Sequence, residues 1–375
     1  MLAQETVPGG TVLVADGKIA YAGTPRRTPR GAEEIDARGG YVCPGLIDVH
    51  FHGAGPHSLD PPNETAFRAI AEFMISRGIT QFVPAMMPSE DMVAGIPALI
   101  ESTGLTRHIP GIYVEGPFVN PAKRGGIQEQ YVRPVDLDYL EHLQRLARGR
   151  IILMTFAPEL EGAEKLPRAL RRLAILPCVG HSLASAARAA EVVGRSKVNC
   201  THLFNAMSGL DHREPGLAAY AINADNVWTE LNPDGIHVHP ELMKIAVRAK
   251  RRDRIILISD AVVSAGQEAG DYRYMNRDVV ASNDGVYYRR DRTLVGSRLL
   301  LNQGVASLIR HTGVPVHEAV RMASLNPATM LGMAKRKGSL EAGKDADVVV
   351  FQKNFAKPRV VFFEGQQVAP FTCSA

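Results

Sequence analysis

Six residues with metal-binding chemistry stand where short apolar runs end. They are His50 and His52 in GLIDVHFHG, Glu115 in GIYVEGPF, His181 in LPCVGHS, His202 in VNCTHLFNAM and Asp260 in RIILISDA. Neutral imidazoles suit Zn2+, Fe2+ and similar ions, and a carboxylate can bridge two of them. Taken singly, each has an ordinary explanation. An H-x-H is commonly a pair of surface or hydrogen-bonded histidines, and a glutamate before Gly-Pro is commonly a turn residue. Five strand ends that all offer such ligands point instead to one shared site. His50 and His52 are two apart on a strand, so they face the same side.

A site of that kind needs parallel strands whose carboxyl ends share one mouth. Runs rich in Val, Ile, Leu and Thr predict strands at 46–52, 79–86, 111–115, 151–157, 176–181, 198–204, 227–232 and 255–260, alternating with helical stretches. This pattern predicts an α/β fold, a (β/α)8 TIM-like barrel over residues 44–334. Residues 11–43 carry β runs split by Asp-Gly and Gly-Gly turns, and β character returns in ADVVVFQKN and PRVVFFEGQQV. The simplest arrangement pairs the two termini, residues 1–43 and 335–375, as a small β-sandwich domain. No internal repeat or low-complexity segment is present.

Composition bounds the class. With 375 residues, 45% hydrophobic and 22% charged, the chain is globular and long for one compact core. The net charge of +4 is small, and Arg26-Arg27 and Lys250-Arg251-Arg252 read as solvated faces rather than a nucleic-acid groove. The start, MLAQETVPGGTVLVADGK, lacks the basic-then-apolar pattern of a secretory signal, and no apolar stretch reaches the ~20 residues of a membrane span. The four cysteines, Cys43, Cys178, Cys200 and Cys373, form no C-x-x-C pair. A cytoplasmic location without structural disulfides is the expectation, with no membrane and no nucleic-acid partner. Cys178 and Cys200 read as small buried hydrophobes.

Together, PGLIDVHFHG, EGPF, GHS, THLFNAM, REPGLA, DGIHV, SDA, NPATMLG and GSLEAGKDADVVVF resemble the amidohydrolase superfamily. Within it the chain is similar to the N-acetylglucosamine-6-phosphate deacetylase family, from about residue 11 to 367. PGLIDVHFHG and GKDADVVVF are shared across the superfamily; EGPF with THLFNAM, REPG and DGIHV is narrower. The resemblance implies the same barrel-plus-sandwich fold reached above. It implies one metal site on Glu115, His181 and His202, and a second on His50 and His52. Asp260 is then the general base and also touches the second metal. One or two divalent ions per subunit, Zn or Fe, are the implied cofactor.

The implied reaction removes the N-acetyl group from an N-acetylhexosamine 6-phosphate, most simply N-acetylglucosamine 6-phosphate, giving the amino sugar phosphate and acetate. No serine or cysteine nucleophile is needed, so Ser182 and Ser259 read as turn residues or supports to the ligands. Asn205, the backbone of Ala206 and His237 are the implied sugar contacts. Arg213 is the implied phosphate anchor, reaching across from a neighbouring subunit of a homodimer, and a guanidinium fork suits that anion. Two departures stand out. Many relatives carry a histidine about twelve residues beyond the glutamate, and some a glutamine; VNPAKRGGIQEQYV holds no histidine, and Gln128 is its nearest replacement. The strand expected before residue 11 is short or missing, so the small domain reads as trimmed. His57 reads as a loop histidine rather than a ligand.

Other readings stay open on the sequence. The sugar could be N-acetylgalactosamine 6-phosphate, which differs in one hydroxyl configuration. The chain could be another amidohydrolase cleaving a cyclic amide C–N bond, with Arg213 only a helix cap or surface ion pair. A non-catalytic scaffold barrel is the third class; loss of ligands marks such barrels, and this chain retains them all.

Overall fold

The computed structural model describes residues 1–368. Its centre is a parallel sheet of eight strands: Leu46–Phe51, Ile79–Met86, Ile112–Val114, Ile151–Phe156, Leu176–Val179, Val198–Cys200, Val227–Leu231 and Ile255–Leu257. They pair in sequence order, at the places the apolar runs predict. The first strand meets the last through His52 N–H to Ala261 O (2.7 Å) and Asp260 N–H to His50 O (2.9 Å). The sheet is thus a nearly closed TIM-like barrel.

The helices between strands turn one apolar stripe inward. In Glu64–Ser76 the buried residues are Phe67, Ile70, Ala71, Met74 and Ile75, the i, i+3, i+4 rhythm of a single face. Asn63 caps this helix, its side chain accepting the Ala66 N–H, which is worth about 1 kcal/mol. Truncating fully buried Met74 to Ala would cost roughly 2–5 kcal/mol. Inside the barrel, Ile47, Val49, Val83, Leu153, Trp228 and Ile256 pack as one apolar cluster with Tyr113 and Cys178. The metal-ligating residue types stand above this filled core.

Two expectations are corrected. Strand–helix alternation does not run through residue 334. The last barrel strand leads instead into a four-stranded antiparallel sheet, Gly270–Tyr274, Arg277–Ser282, Gly285–Tyr288 and Leu294–Gly296, before helix Leu301–Thr312. The segment alternates β-formers with turn residues, and Met275 and Asn276 both take positive φ, as a two-residue hairpin turn requires. Nor is the 250–252 basic cluster a solvated face throughout. Lys250 is buried, its ammonium donating to Ala221 O (2.8 Å) and Ala224 O (2.5 Å) at the end of helix Leu217–Asn223. Orphan carbonyls at a helix C-terminus attract a cation there.

At the chain ends, Thr11–Ala15 and Lys18–Gly23 form a hairpin. Tyr41–Pro44 pairs with Val348–Phe351, which pairs in turn with Pro358–Phe363. Ile19 donates to Lys344 O (2.9 Å) and shares a small apolar cluster with Leu340, Ala346 and Val348. Cys43, Cys178 and Cys200 are buried and free, and burial pushes their thiols up, Cys43 to about 12. Cys373 lies outside the described residues. Among the described residues, no helix is long and apolar enough to cross a membrane.

Candidate metal centre

The six ligand-type residues converge on one mouth of the barrel. On the first strand the pairing register shifts between Asp48 and Phe51. Such an irregularity re-aims side chains, and the rings of His50 and His52 come to 5.2 Å centroid to centroid. Across from them, Glu115 Oε1 lies 3.3 Å from His181 Nε2 and 3.2 Å from His202 Nε2, with the two ring nitrogens 3.0 Å apart. Ligands ~2.0–2.1 Å from a common ion stand roughly 3.3 Å apart in tetrahedral geometry, so these three atoms have the spacing of one coordination sphere. His52 Nε2 lies 3.4 Å from Asp260 Oδ1 and 3.5 Å from Glu115 Oε2. His50 Nε2 stands 3.3 Å from Glu115 Oε1 and 3.9 Å from Asp260 Oδ1. Two clusters result, Glu115–His181–His202 and His50–His52–Asp260. Glu115 reaches both, Oε1 toward His181, His202 and His50 and Oε2 toward His52.

These residues fit a metal ion. His50 Nε2 is buried with no hydrogen-bond partner, while its Nδ1–H is committed to Glu230 Oε2 at 3.0 Å. His181 likewise commits Nδ1–H to Lys123 O at 2.7 Å. Both arrangements fix the tautomer that leaves Nε2 as a lone-pair donor. Burial favours the neutral form of the Glu115 carboxyl, but the surrounding His50, His181 and His202 rings outweigh it and hold it well below the usual range. Asp260 is governed the same way. Burial opposes its ionisation, yet the His52 hydrogen bond and the nearby His50, His237 and His52 rings bring it down to about 2. Both carboxylates are therefore anionic at neutral pH.

Backbone strain is concentrated here. His181, His202, Phe204, Ala206 and Asp260 all adopt positive φ, at about 1–3 kcal/mol each. Close approach is also built in: a Cβ on Gly296 would stand 2.8 Å from Asp260 O and 2.4 Å from Val262 Cγ1. One on Gly125 would meet His181 Cε1 at 3.5 Å.

The remaining predicted residues distribute unevenly. His237 Nε2 lies 3.5 Å from Asp260 Oδ2, and its Nδ1–H donates to Asp234 Oδ2 at 2.7 Å. Asn205 donates to His202 O and Leu203 O, 3.2 Å each, and Ala206 O accepts Ser182 N–H at 3.0 Å, so both stiffen the turn that carries His202. Gln128 lines a cavity of about 240 Å³ with Arg124, Gly125, Gly126, Arg277 and Thr293. Arg213 is exposed, its backbone N–H bound to Asp211, and among the described residues no contact joins it to the cluster. His57 sits in a two-residue ladder with Ala54, outside both clusters.

Sequence reasoning read Ser182 and Ser259 as supports or turn residues but missed the carboxylates they bind and Glu230. Glu230 is fully buried and binds His50, the His202 N–H (3.0 Å) and Asn199 Nδ2 (2.5 Å). Asp48 accepts Ser259 Oγ–H at 2.5 Å, tying the strand of His50 to that of Asp260. Glu159 accepts Ser182 Oγ–H at 2.7 Å and the Leu183 N–H at 2.5 Å, beside His181. Charged residues inside apolar strand runs, as in VWTEL, were the available signal.

A barrel mouth with two such ligand clusters defines a candidate metal centre. The Amidohydrolase family profile matches residues 41–368. The chain is 33% identical to the N-acetylglucosamine-6-phosphate deacetylase of Bacillus subtilis (strain 168), over 92% of this chain and 89% of that one. It is 31% identical to the N-acetylgalactosamine-6-phosphate deacetylase of Escherichia coli O157:H7, over 94% and 93%. The crystal structure of N-acetyl-D-glucosamine-6-phosphate deacetylase from Mycobacterium smegmatis superposes with a TM-score of 0.90 at 25% identity, over 98% of both chains. The chain belongs to the amidohydrolase family, in the branch that holds the N-acetylglucosamine-6-phosphate deacetylases.

Proposed function

We propose that this chain removes the acetyl group from an N-acetylhexosamine 6-phosphate, most simply N-acetylglucosamine 6-phosphate, releasing acetate and the amino sugar phosphate. One observation carries the reading: a complete ligand set for two ions, joined by Glu115, in a chain whose full-length relatives bear this activity in their names. Glu115, His181 and His202 would hold one ion; His50, His52 and Asp260 would hold the second. Imidazole and carboxylate donors suit Zn2+ or Fe2+. When bound, such an ion polarises an amide carbonyl and lowers the pKa of water from 15.7 to about 7.

The chain's own groups do the rest. Asp260, held ionised, accepts a proton from the attacking water and passes it to the amine, which leaves poorly without it. His237, fixed by Asp234, orients the second Asp260 oxygen and stands where a sugar hydroxyl would meet it. Asn205, Ala206 and Gln128 line the approach. Arg213, exposed and free of the cluster in its own subunit, is read as the phosphate anchor of a neighbouring site in a homodimer. We further read residues 1–43 and 335–375 as a small β-sandwich domain, 44–334 as the catalytic domain, and the cytoplasm as the location.

An acetate-release assay on N-acetylated hexosamine 6-phosphates, gluco and galacto, and on their unphosphorylated forms tests the reading. Release from the phosphates, with Arg213→Met raising the KM for these alone, is the expected result. No release from any of them, with hydrolysis of a cyclic amide, would move the chain to another amidohydrolase activity.

A further inference from the structure

The antiparallel sheet after the last barrel strand packs a buried polar group, unused in the reaction above, against the segments that follow Glu115 and Asp260. Its inner face carries Tyr274, Val279 and Tyr288, which share one packed cluster with Val119, Ile127 and Val262. Val119 follows Glu115 by four residues, and Val262 follows Asp260 by two. The sheet is fastened to the Asp260 turn itself: Ser297, directly after Leu294–Gly296, donates its N–H to Asp260 O at 2.8 Å and accepts the Val262 N–H at 3.3 Å. Tyr274 is 2% exposed, and its hydroxyl meets no hydrogen-bond partner.

Burying a hydroxyl without a partner costs about 1–3 kcal/mol. A hydroxyl left so, on a ring packed against the segments that follow Glu115 and Asp260, calls for a partner from outside the chain. Burial, the neighbouring Tyr288 and the negative charges of Asp260 and Glu115 hold the phenol protonated, so it can donate. Among the nearby rings, His50 commits its Nδ1–H to Glu230, His181 to Lys123 O and His237 to Asp234, while Nδ1 of His52 and of His202 meets no partner. The carboxylates can only accept. An amide carbonyl gains negative charge as it becomes tetrahedral, and a preorganised donor aimed at that oxygen stabilises it.

We propose that the Tyr274 hydroxyl donates a hydrogen bond to the acyl carbonyl oxygen of a bound amide, making the inserted sheet part of the acyl site. The assignment rests on the amide-hydrolase reading, but not on which sugar carries the acetyl group.

Acetohydroxamate is the probe, a small acyl carbonyl that binds metal centres and needs no sugar recognition. Its affinity is measured by calorimetry on metal-replete wild type, Tyr274→Phe and Tyr288→Phe. Tyr274→Phe is expected to bind at least ~5-fold more weakly, at unchanged metal content and with a Tm at or above wild type, with Tyr288→Phe matching wild-type affinity; one lost donor has that scale. In turnover, Tyr274→Phe should lower kcat by ~10- to 100-fold and leave KM within about twofold. Equal affinity of wild type and Tyr274→Phe, equal weakening by both variants, or no binding to wild type would each overturn the proposal. A Tyr274-dependent affinity alongside a negative acetate-release panel would sink the hexosamine reading and leave Tyr274 in place.

Discussion

Glu230 holds His50 from behind. Its Oε2 accepts the His50 Nδ1–H at 3.0 Å, and the same oxygen accepts the backbone N–H of His202 at 3.0 Å. One carboxylate, fully buried on a barrel strand, thus orients a residue of each ligand cluster. Neither histidine is positioned by its own strand alone.

Glu230→Gln is nearly isosteric and removes the charge that fixes the His50 tautomer. Outer supports of this kind are worth about 10- to 100-fold in metal affinity. Competition against a chelator should show a loss of that size, with the fold retained by circular dichroism. Affinity equal to wild type would mean that His50 is oriented by its packing against Tyr113.

For Asp260→Asn, the prediction is lost turnover with much of the metal kept. Glu115, His181 and His202 remain intact in the variant, while the proton acceptor is gone. Turnover should fall by at least ~10²-fold, the scale of a positioned proton-transfer group. Near-wild-type turnover in a metal-replete sample would remove Asp260 from the reaction.

The eight barrel strands and the convergence of six ligand-type residues were legible because both rest on local signals. Apolar runs such as RIILISDA end in the residue that matters, and barrel topology gathers those ends. The carboxylate supports were not legible. Glu230 and Asp48 lie within the runs, where a charged residue among Val, Ile and Leu looks like an outward-facing position until the barrel closes. The 270–296 sheet was read as part of the βα alternation, because its strands are short and its turn residues Met275 and Asn276 are weak punctuation. Lys250 misled for a related reason: a basic run gives no hint that one member caps a neighbouring helix.

A pH-dependent stability term comes from the junction between the barrel and the terminal strands. Asp347 is buried beside Lys337 at 2.9 Å, yet burial outweighs the ammonium and pushes the carboxyl up to about 6. An unfolded aspartate titrates near ~3.9. The folded chain therefore keeps this proton where the unfolded chain has released it. That contribution is complete below about pH 4 and lost as pH rises through about 6. Asn stays neutral throughout and can still accept the Glu364 N–H. In denaturant unfolding, the stability of Asp347→Asn relative to wild type should rise by about 1–3 kcal/mol between pH 4 and 7. A shift in the opposite direction would show that the Lys337 ion pair outweighs burial.

The account turns on Glu115 joining two metal centres. Titrating metal-free protein with Zn2+ by calorimetry, with bound metal counted after desalting, tests this most directly. Two equivalents are predicted for wild type, the tighter on Glu115, His181 and His202. One equivalent is predicted for the double variant His50→Gln, His52→Asn, with the tight site unchanged. Saturation of wild type at one equivalent, unaltered in the double variant, would contradict the account and leave His50 and His52 as hydrogen-bonding residues of the barrel mouth.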